Sequence, residues 1–372
     1  MGVKSRFGAI PAADISADQA IPPAEIAVAP TTLEEASQAL RTATEQRMKV
    51  LIWGGGNHQG YGHRVHPDMV LITTSLNQVE VWEPEDLTIV AGAGARISQV
   101  EEMLAEKRQT TLLPHPSPTA TIGGVLAAGL SSYKRFRYGP SRDRVLETKV
   151  VTGDGRIVRS GGRVVKNVTG YDIPRLMVGA LGRLGLIGSV CLKLIPTPAA
   201  ALTVSVDDPA AALAGLYRPL AVLSTPSGHS AFLWGTPAEV ESQANRLGGE
   251  VQNGHAWPTL PSLPIAWSLR LPPSRLSEGL ERLPKGWAYV AQQGVGITEC
   301  VADQVEIGAA AELRGWAESV GGALVLTNGP ETLYERIDPW GTPPAGLEYQ
   351  RRLAAGFDPY RVLNTGRLPG GV

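Results

Sequence analysis

The residues best suited to chemistry are the loop Gly54-Gly55-Gly56-Asn57-His58-Gln59-Gly60, which follows the apolar run 49–53. Glycines permit positive φ and carry no Cβ, so consecutive amide N–H groups can converge on a phosphate as an anion-binding nest. A nicotinamide-type Rossmann turn would have to open a helix and be followed by an acidic residue after the next strand. Here Gly62, Pro67 and scattered polar residues come next, then another strand pattern, so that reading fails on context. Taken alone the loop could still be a plain glycine-rich turn. It is followed by Thr119-Ala120-Thr121-Ile122-Gly123-Gly124, where Thr121 can cap a short helix and Gly123 and Gly124 let a ligand approach its first N–H groups. A third cluster, 179–187, has small residues on a loop entering a strand, where a flat ring can pack closely.

Regular elements must position these loops. A capping-box pattern, Thr32-x-x-Glu35, opens a helix predicted to run to about residue 47, with Leu33, Ala36, Ala39, Leu40 and Ala43 on one face. Strands are expected at 49–53, 69–73 and 87–91, a helix at 97–107, and a hairpin at 150–158 turning at Gly153-Asp154-Gly155. A strand at 187–194 closes the region, and Pro196 and Pro198 mark a boundary. From about 200 to 328 strands and helices alternate in two successive βαββα(β) units, which suggests ferredoxin-like halves joined in one antiparallel sheet.

Composition narrows the class. With 372 residues, 43% hydrophobic and 19% charged, the chain reads as a globular protein of two domains. A net charge of -1 gives no reason to expect nucleic acid as a partner. The two cysteines, Cys191 and Cys300, exclude a disulfide framework and a self-contained four-cysteine iron–sulfur cluster. Redox chemistry would need an organic cofactor. No signal-peptide pattern or bilayer-length apolar stretch is read, so the expected location is the cytoplasm, with any inner-membrane association made through partner subunits.

In this order, the glycine clusters of residues 25–198 resemble the FAD-binding domain of the vanillyl-alcohol oxidase/p-cresol methylhydroxylase (PCMH-type) family. Within that family the chain resembles the E-type FAD-binding subunits of glycolate oxidases. Gly55-Gly56-Asn57, Thr121-Ile122-Gly123-Gly124, Lys166-Asn167-Val168-Thr169-Gly170-Tyr171-Asp172 and 181–187 carry the match, with the tail Phe357-Asp358-Pro359 and Leu363-Asn364-Thr365-Gly366-Arg367. The resemblance implies an α+β chain. An irregular lead-in (1–24) precedes a two-subdomain PCMH-type FAD-binding domain (25–198). A ferredoxin-like antiparallel-sheet cap domain (199–335) and a segment returning to the FAD site (336–372) follow.

It also implies site residues. Gly54, Gly55, Gly56, Asn57, His58 and Gln59 would hold the pyrophosphate from one side, and Thr121, Ile122, Gly123 and Gly124 from the other. Gly129, Ser131, Arg142, Asp143 and Val145 would line the cofactor, and Gly185 and Ile187 would belong to its site, Ile187 at the adenine end. His115 and Pro116 would lie near the FAD, and Asn364 near the flavin. Leu181 and Arg183 depart from the Glu or Tyr and the Thr that relatives often carry. Some relatives tether FAD through a His directly after a Gly-Gly pair; Asn57 stands there, with His58 one residue late, so noncovalent FAD is expected.

Oxidation of a 2-hydroxy acid needs a base, a cation for the carboxylate, and the Cα–H held against the flavin. Catalytic relatives of the D-lactate/glycolate type supply these with a metal held by His-x-Gly-Asp-Gly-Asn-x-His and a later Glu-His-Gly. Neither motif occurs here, and His58, His63, His66, His115, His229 and His255 suggest no metal site. Tyr133, Lys134, Arg135, Arg137 and Tyr138 read either as a carboxylate site or as a solvated or partner-docking loop. The expected function is therefore an accessory or electron-transferring FAD-binding subunit of a glycolate, D-lactate or similar 2-hydroxyacid oxidase/dehydrogenase complex. Its partners would be a catalytic FAD subunit and an iron–sulfur subunit. The alternatives are a self-sufficient FAD-dependent 2-hydroxyacid dehydrogenase and a structural subunit that binds FAD weakly.

Overall fold

The computed structural model describes residues 24–163 and 170–372. They divide into two compact units. The first comprises residues up to Ser132, Pro140–Pro196 and Pro343–Val372; the second comprises Tyr133–Gly139 and Thr197–Thr342.

In the first unit the apolar runs Ile26–Val28, Met69–Ile72 and Val50–Trp53 form a three-stranded parallel sheet in that order. Parallel strands covered on both faces read as continuous apolar runs, and Met69, Val70 and Leu71 are fully buried. The helix Leu33–Glu45 covers this sheet with Ala36, Ala39, Leu40 and Ala43, none of which reaches solvent. Thr32 Oγ1 accepts from Glu35 N at 3.2 Å, as the capping pattern predicts. The reciprocal half differs: the Glu35 carboxylate turns to Thr31 N and Oγ1, at 2.7 and 3.0 Å.

A second sheet of the same unit is antiparallel, in the order Val79–Glu83, Thr88–Gly92, Leu186–Lys193, Val145–Val151, Ile157–Gly161. Val145–Val151 and Ile157–Gly161 are the hairpin expected from Gly153-Asp154-Gly155, with Gly155 at φ 79° in its turn. The helices Ile97–Ala105, Ile122–Ala128 and Ile173–Met177 contribute to one core with the strands.

The second unit is built on one antiparallel sheet of eight strands. Its first half runs Ala200–Val206, helix Pro209–Gly215, Ala221–Thr225, Gly228–Gly235, helix Pro237–Leu247, Val251–Asn253. Its second half repeats the pattern with Ile265–Arg270, helix Leu276–Glu281, Ala288–Gln292, Ile297–Ala302, helix Ile307–Ser319, Ala323–Asn328. Within each half the spatial order is fourth, first, third, second, the ferredoxin-like arrangement. The two second strands pair with each other, Leu223 opposite Gln292 and Ser224 opposite Ala291. That pairing removes two exposed sheet edges at once. The register puts both helix pairs on one face, over Leu202, Val204, Val222 and Leu233 in one half and Trp267, Leu269, Cys300 and Leu324 in the other.

Candidate functional site

The loop 54–59 leaves its strand where Thr73 N donates to Trp53 O at 2.8 Å. It packs so tightly against the segment before the Ile122–Ala128 helix that a Cβ on Gly55 would sit 1.8 Å from Thr119 O. Gly56 takes φ 76°, with the Trp53 ring beneath it. Asn57 Nδ2 fastens the loop by donating to Gly55 O at 3.1 Å and Thr119 Oγ1 at 3.2 Å. The backbone amides of Gly55, Gly56, Asn57, His58 and Gln59 make no hydrogen bond among the described residues. All five residues line the cleft and none of them is fully buried, so these successive amides stay open to solvent or to an external acceptor.

The helix start behaves differently from its sequence expectation. Thr121 Oγ1 caps it by accepting from Gly124 N at 3.2 Å. Ile122 N donates to Ala95 O at 3.0 Å and Gly123 N to Ala93 O at 2.7 Å, so the N–H groups expected to face a ligand are used inside the protein. Gly123 is small for packing: its Cβ would lie 2.7 Å from that of Ala93. This element supplies a wall of Thr121, Gly124, Val125, Ala127 and Ala128 rather than donors.

The third wall comes from the 179–187 cluster and the returning tail. Asn364 joins them: its Oδ1 accepts from Ile52 N at 2.9 Å, its Nδ2 donates to Leu181 O at 2.5 Å, and its own N–H reaches Val50 O. Beneath it, Arg183 and Asp358 form a buried ion pair at 2.5 Å, and Asp358 also accepts from Val362 N and Leu363 N, each at 2.9 Å. Arg367 lines the cleft while donating to Tyr61 O at 3.0 Å and His58 O at 2.9 Å. Burial, and then the charge of Arg367, push the His58 imidazole down to about 4. His58 is therefore neutral at physiological pH, and its enclosed Nε2 has no partner among the described residues.

One cleft thus brings together Gly54, Gly55, Gly56, Asn57, His58, Gln59, Thr121, Gly123, Gly124, Gly185, Ile187 and Asn364. The other sequence candidates lie elsewhere. Ile122 and Val145 are core residues of the first unit, because each begins an element whose apolar side faces inward. Gly129 ends the Ile122–Ala128 helix in the left-handed conformation. Ser131 Oγ accepts from Ser141 N at 3.1 Å, Asp143 pairs with Arg175 at 3.5 Å, and Arg142 is exposed. His115 and Pro116 are also exposed, on the loop that follows Leu113. Of the motif Lys166-Asn167-Val168-Thr169-Gly170-Tyr171-Asp172, the first four residues lie outside the described ones; Tyr171 is exposed and Asp172 caps the next helix. The cleft also holds Ile52, Thr73 and Arg367, which no sequence motif marks as site residues, beside Leu181 and Gly182 of the 179–187 cluster. For Leu181 a further signal is its departure from the residue that relatives often carry there.

In the second unit, Lys134 Nζ sits 5.0 Å from the Trp234 ring and Arg137 Nη1 donates to Trp234 O at 2.5 Å. Tyr133, Phe232, His255 and Trp257 form one aromatic cluster, with Phe232 and Trp257 stacked at 4.2 Å. The basic-aromatic segment is thus anchored by ring contacts. Burial, and then the nearby Glu299, push the Tyr133 hydroxyl up to about 12. Ser268 Oγ donates to Glu299 Oε1 at 3.1 Å and accepts from Arg270 Nε at 3.4 Å. The imidazole of His255 meets Leu233 O at 2.9 Å, and that of His229 meets Ser224 Oγ at 2.7 Å.

Residues 24–161 match the FAD binding domain family. Glycolate oxidase subunit GlcE of Escherichia coli (strain K12) is 32% identical over 262 residues, covering 64% of this chain and 72% of that protein. The chain belongs to the FAD-binding family of GlcE. A D-lactate dehydrogenase of Archaeoglobus fulgidus is 32% identical over 173 residues; the match covers 46% of this chain and 39% of that longer protein. Among solved structures, an alkyldihydroxyacetonephosphate synthase superposes with a TM-score of 0.65 at 14% identity, over 91% of this chain and 75% of that one, which shows a shared fold.

Membership of the GlcE family makes FAD the cofactor, and the cleft fits it. The free amides of 55–59 and the Arg367 guanidinium suit a diphosphate. Side chains added at Gly54 or Gly55 would collide with Thr121 Oγ1 or Thr119 O, so glycine keeps both the loop packing and the approach to its amides.

Proposed function

We propose that this chain is the FAD-binding subunit of a multi-subunit oxidase or dehydrogenase of small 2-hydroxy acids, glycolate or D-lactate. It holds FAD noncovalently and transfers electrons or supports its partners, while substrate oxidation belongs to another subunit. The observation that carries this is the similarity to GlcE over 72% of that protein's length, in a chain whose glycine loops gather around one cleft. The first unit would be the FAD-binding part, and the second, Tyr133–Gly139 with Thr197–Thr342, the cap.

The amides of Gly55 to Gln59 would take the diphosphate oxygens, with Arg367 as counter-charge. Thr121, Gly124 and Val125 would form the opposing wall, Gly185 and Ile187 the adenine end, and Asn364 would fix the wall from the tail. Asn57, at the position used for tethering in some relatives, supports noncovalent binding. FAD, when bound, supplies a ring that accepts and returns two electrons. The protein's part would be to hold that ring and keep solvent from it.

The accessory role is supported by the sequence, which has neither histidine motif of the catalytic relatives. A catalytic FAD subunit and an iron–sulfur subunit are the partners this implies. No helix among the described residues is long and apolar enough to cross a membrane, so attachment at the inner membrane would depend on those partners.

One observation favours the self-sufficient dehydrogenase as a second reading. Arg270, Ser268 and Glu299 put a cation and a hydrogen-bonded carboxyl on one sheet face, near a Tyr133 kept protonated. Anaerobic addition of glycolate or D-lactate to the purified flavin-loaded chain separates the two. We expect the flavin band to persist with the chain alone and to bleach once the catalytic subunit is added. Bleaching without a partner would establish the second reading, and a colourless chain that FAD cannot reconstitute would defeat both.

A further inference from the structure

The helix Leu347–Phe357, in the tail of the first unit, carries apolar residues on two faces. Leu347, Ala354 and Phe357 pack into the core. Tyr349, Arg352, Leu353 and Gly356 share another face, because they follow one another at i, i+3, i+4 and i+7. Tyr349 is 69% exposed and Leu353 42%, and Tyr360, just past the helix, is 66% exposed. Arg361 N donates to Asp358 O at 3.2 Å, closing a turn that keeps Tyr360 by the helix end. A single exposed apolar residue needs no explanation, but a cluster on one surface marks a contact.

Gly356 is a second observation. Glycine is a poor helix former, yet it stands inside this helix with φ outside the left-handed range. A Cβ there would meet nothing within 4 Å, so packing among the described residues does not require glycine either. Its use is to let a neighbour approach the helix closely. Charge describes that neighbour. The exposed charges of segment 347–361 are Arg351, Arg352 and Arg361 against Glu348. None of the three guanidinium groups forms an ion pair among the described residues. Tyr and Arg are the side chains that anchor protein interfaces, the ring by area at little torsional cost and the guanidinium by bidentate pairing with carboxylates.

Resting on the multi-subunit reading above, we infer that this face docks another chain of the complex, one that presents an apolar recess rimmed by carboxylates. Tyr349 and Leu353 enter the recess, and Arg352 and Arg361 meet the acidic rim. A second copy set face to face would bring Arg352 and Arg361 against their own like, which opposes an isologous dimer. Leu353 is the one aliphatic side chain of the face, which offers little to a lipid surface. The surface leads through residues 358–363, anchored by Asp358, to Asn364 and Arg367 of the flavin cleft. A chain docked there stands beside the segment that closes the cofactor seat.

The test titrates the full flavin-loaded chain against the purified catalytic FAD and iron–sulfur subunits by interferometry. Gly356→Leu fills the open face without crowding this chain. It is expected to keep the flavin spectrum and a urea midpoint no lower than wild type, while binding weakens at least about tenfold. The double variant Tyr349→Ala, Leu353→Ala is expected to lose about a hundredfold. Arg352→Glu should weaken binding and flatten its dependence on salt. Tyr217→Ala, at an equally exposed tyrosine of the second unit, should bind as wild type. Unchanged binding by Gly356→Leu and the double variant, or equal weakening by Tyr217→Ala, overturns this proposal and leaves the multi-subunit reading standing. A wild-type chain that binds neither subunit overturns both. The proposal also fails if the chain alone sediments as a dimer that Gly356→Leu dissociates, or pellets with phosphatidylserine vesicles in a way that Arg352→Glu abolishes.

Discussion

Asp358 accepts from the Arg183 guanidinium and from the amides of Val362 and Leu363, all inside the first unit. Removing one partner of a buried ion pair typically costs about 3–5 kcal/mol, because the other charge is left without compensation. Asp358→Ala is therefore expected to lower the urea midpoint sharply. It should also reduce the flavin-to-protein absorbance ratio, since Asn364 and Arg367 follow directly on the segment that Asp358 holds. His58 sets a pH dependence. Its folded value of about 4 lies below the ordinary 6.5, so between these pH values the unfolded chain binds a proton that the folded chain does not. Stability of the apoprotein is expected to be full above pH 6.5 and to fall by about 2–3 kcal/mol as pH drops to about 4. His58→Gln should flatten that slope in urea titrations. At this scale the glycines, Asn57 and Thr121 were legible, because local backbone chemistry demands those residue types. Arg367 was not: an arginine in an irregular tail has no periodicity, and its place is fixed by carbonyls 306 and 309 residues away.

Among the elements, the loop 54–59 and the start of the Ile122–Ala128 helix depend on each other. Gly55→Ala would drive a Cβ into Thr119 O, a backbone atom that cannot swing aside. The variant is expected to purify with most of its flavin lost, and a wild-type absorbance ratio would contradict the packing described. Thr121→Val removes the cap on Gly124 N and is expected to cost about 1 kcal/mol in denaturant unfolding, with weaker FAD retention. Most elements could be read from the sequence because their apolar pattern is strong, as in the continuous run Met69–Ile72 or the helical spacing of Pro237–Leu247. The strand Val79–Glu83 was missed, since it forms a sheet edge with all five residues exposed or half-buried and has no inward face to betray it. The helix-start amides misled for another reason. A capping motif announces a helix but cannot tell whether Ala93 O and Ala95 O from another strand end will reach its N–H groups first.

For the whole molecule, the apolar residues among the described ones fall into separate cores, those of the first unit distinct from those under the sheet of the second. Calorimetric unfolding is expected to show two transitions, with FAD raising only one of them. At a hundredfold excess over its dissociation constant FAD would add about 2.7 kcal/mol to that transition. A single transition that moves as a whole would count against this division. The two βαββα(β) halves were visible in the alternation of strand and helix patterns. Which edges would join them was not, because the pairing of Leu223 with Gln292 follows from sheet geometry rather than from any residue pattern. The returning tail has a further consequence, for biosynthesis. Asn364 and Arg367 complete a cleft whose other walls are made before residue 188. During translation the glycine loops therefore emerge long before the residues that close the cleft around them. The cofactor can be secured only after residue 367 has been made, so a chain stalled in the second unit would have its phosphate loop in place but no finished seat for FAD.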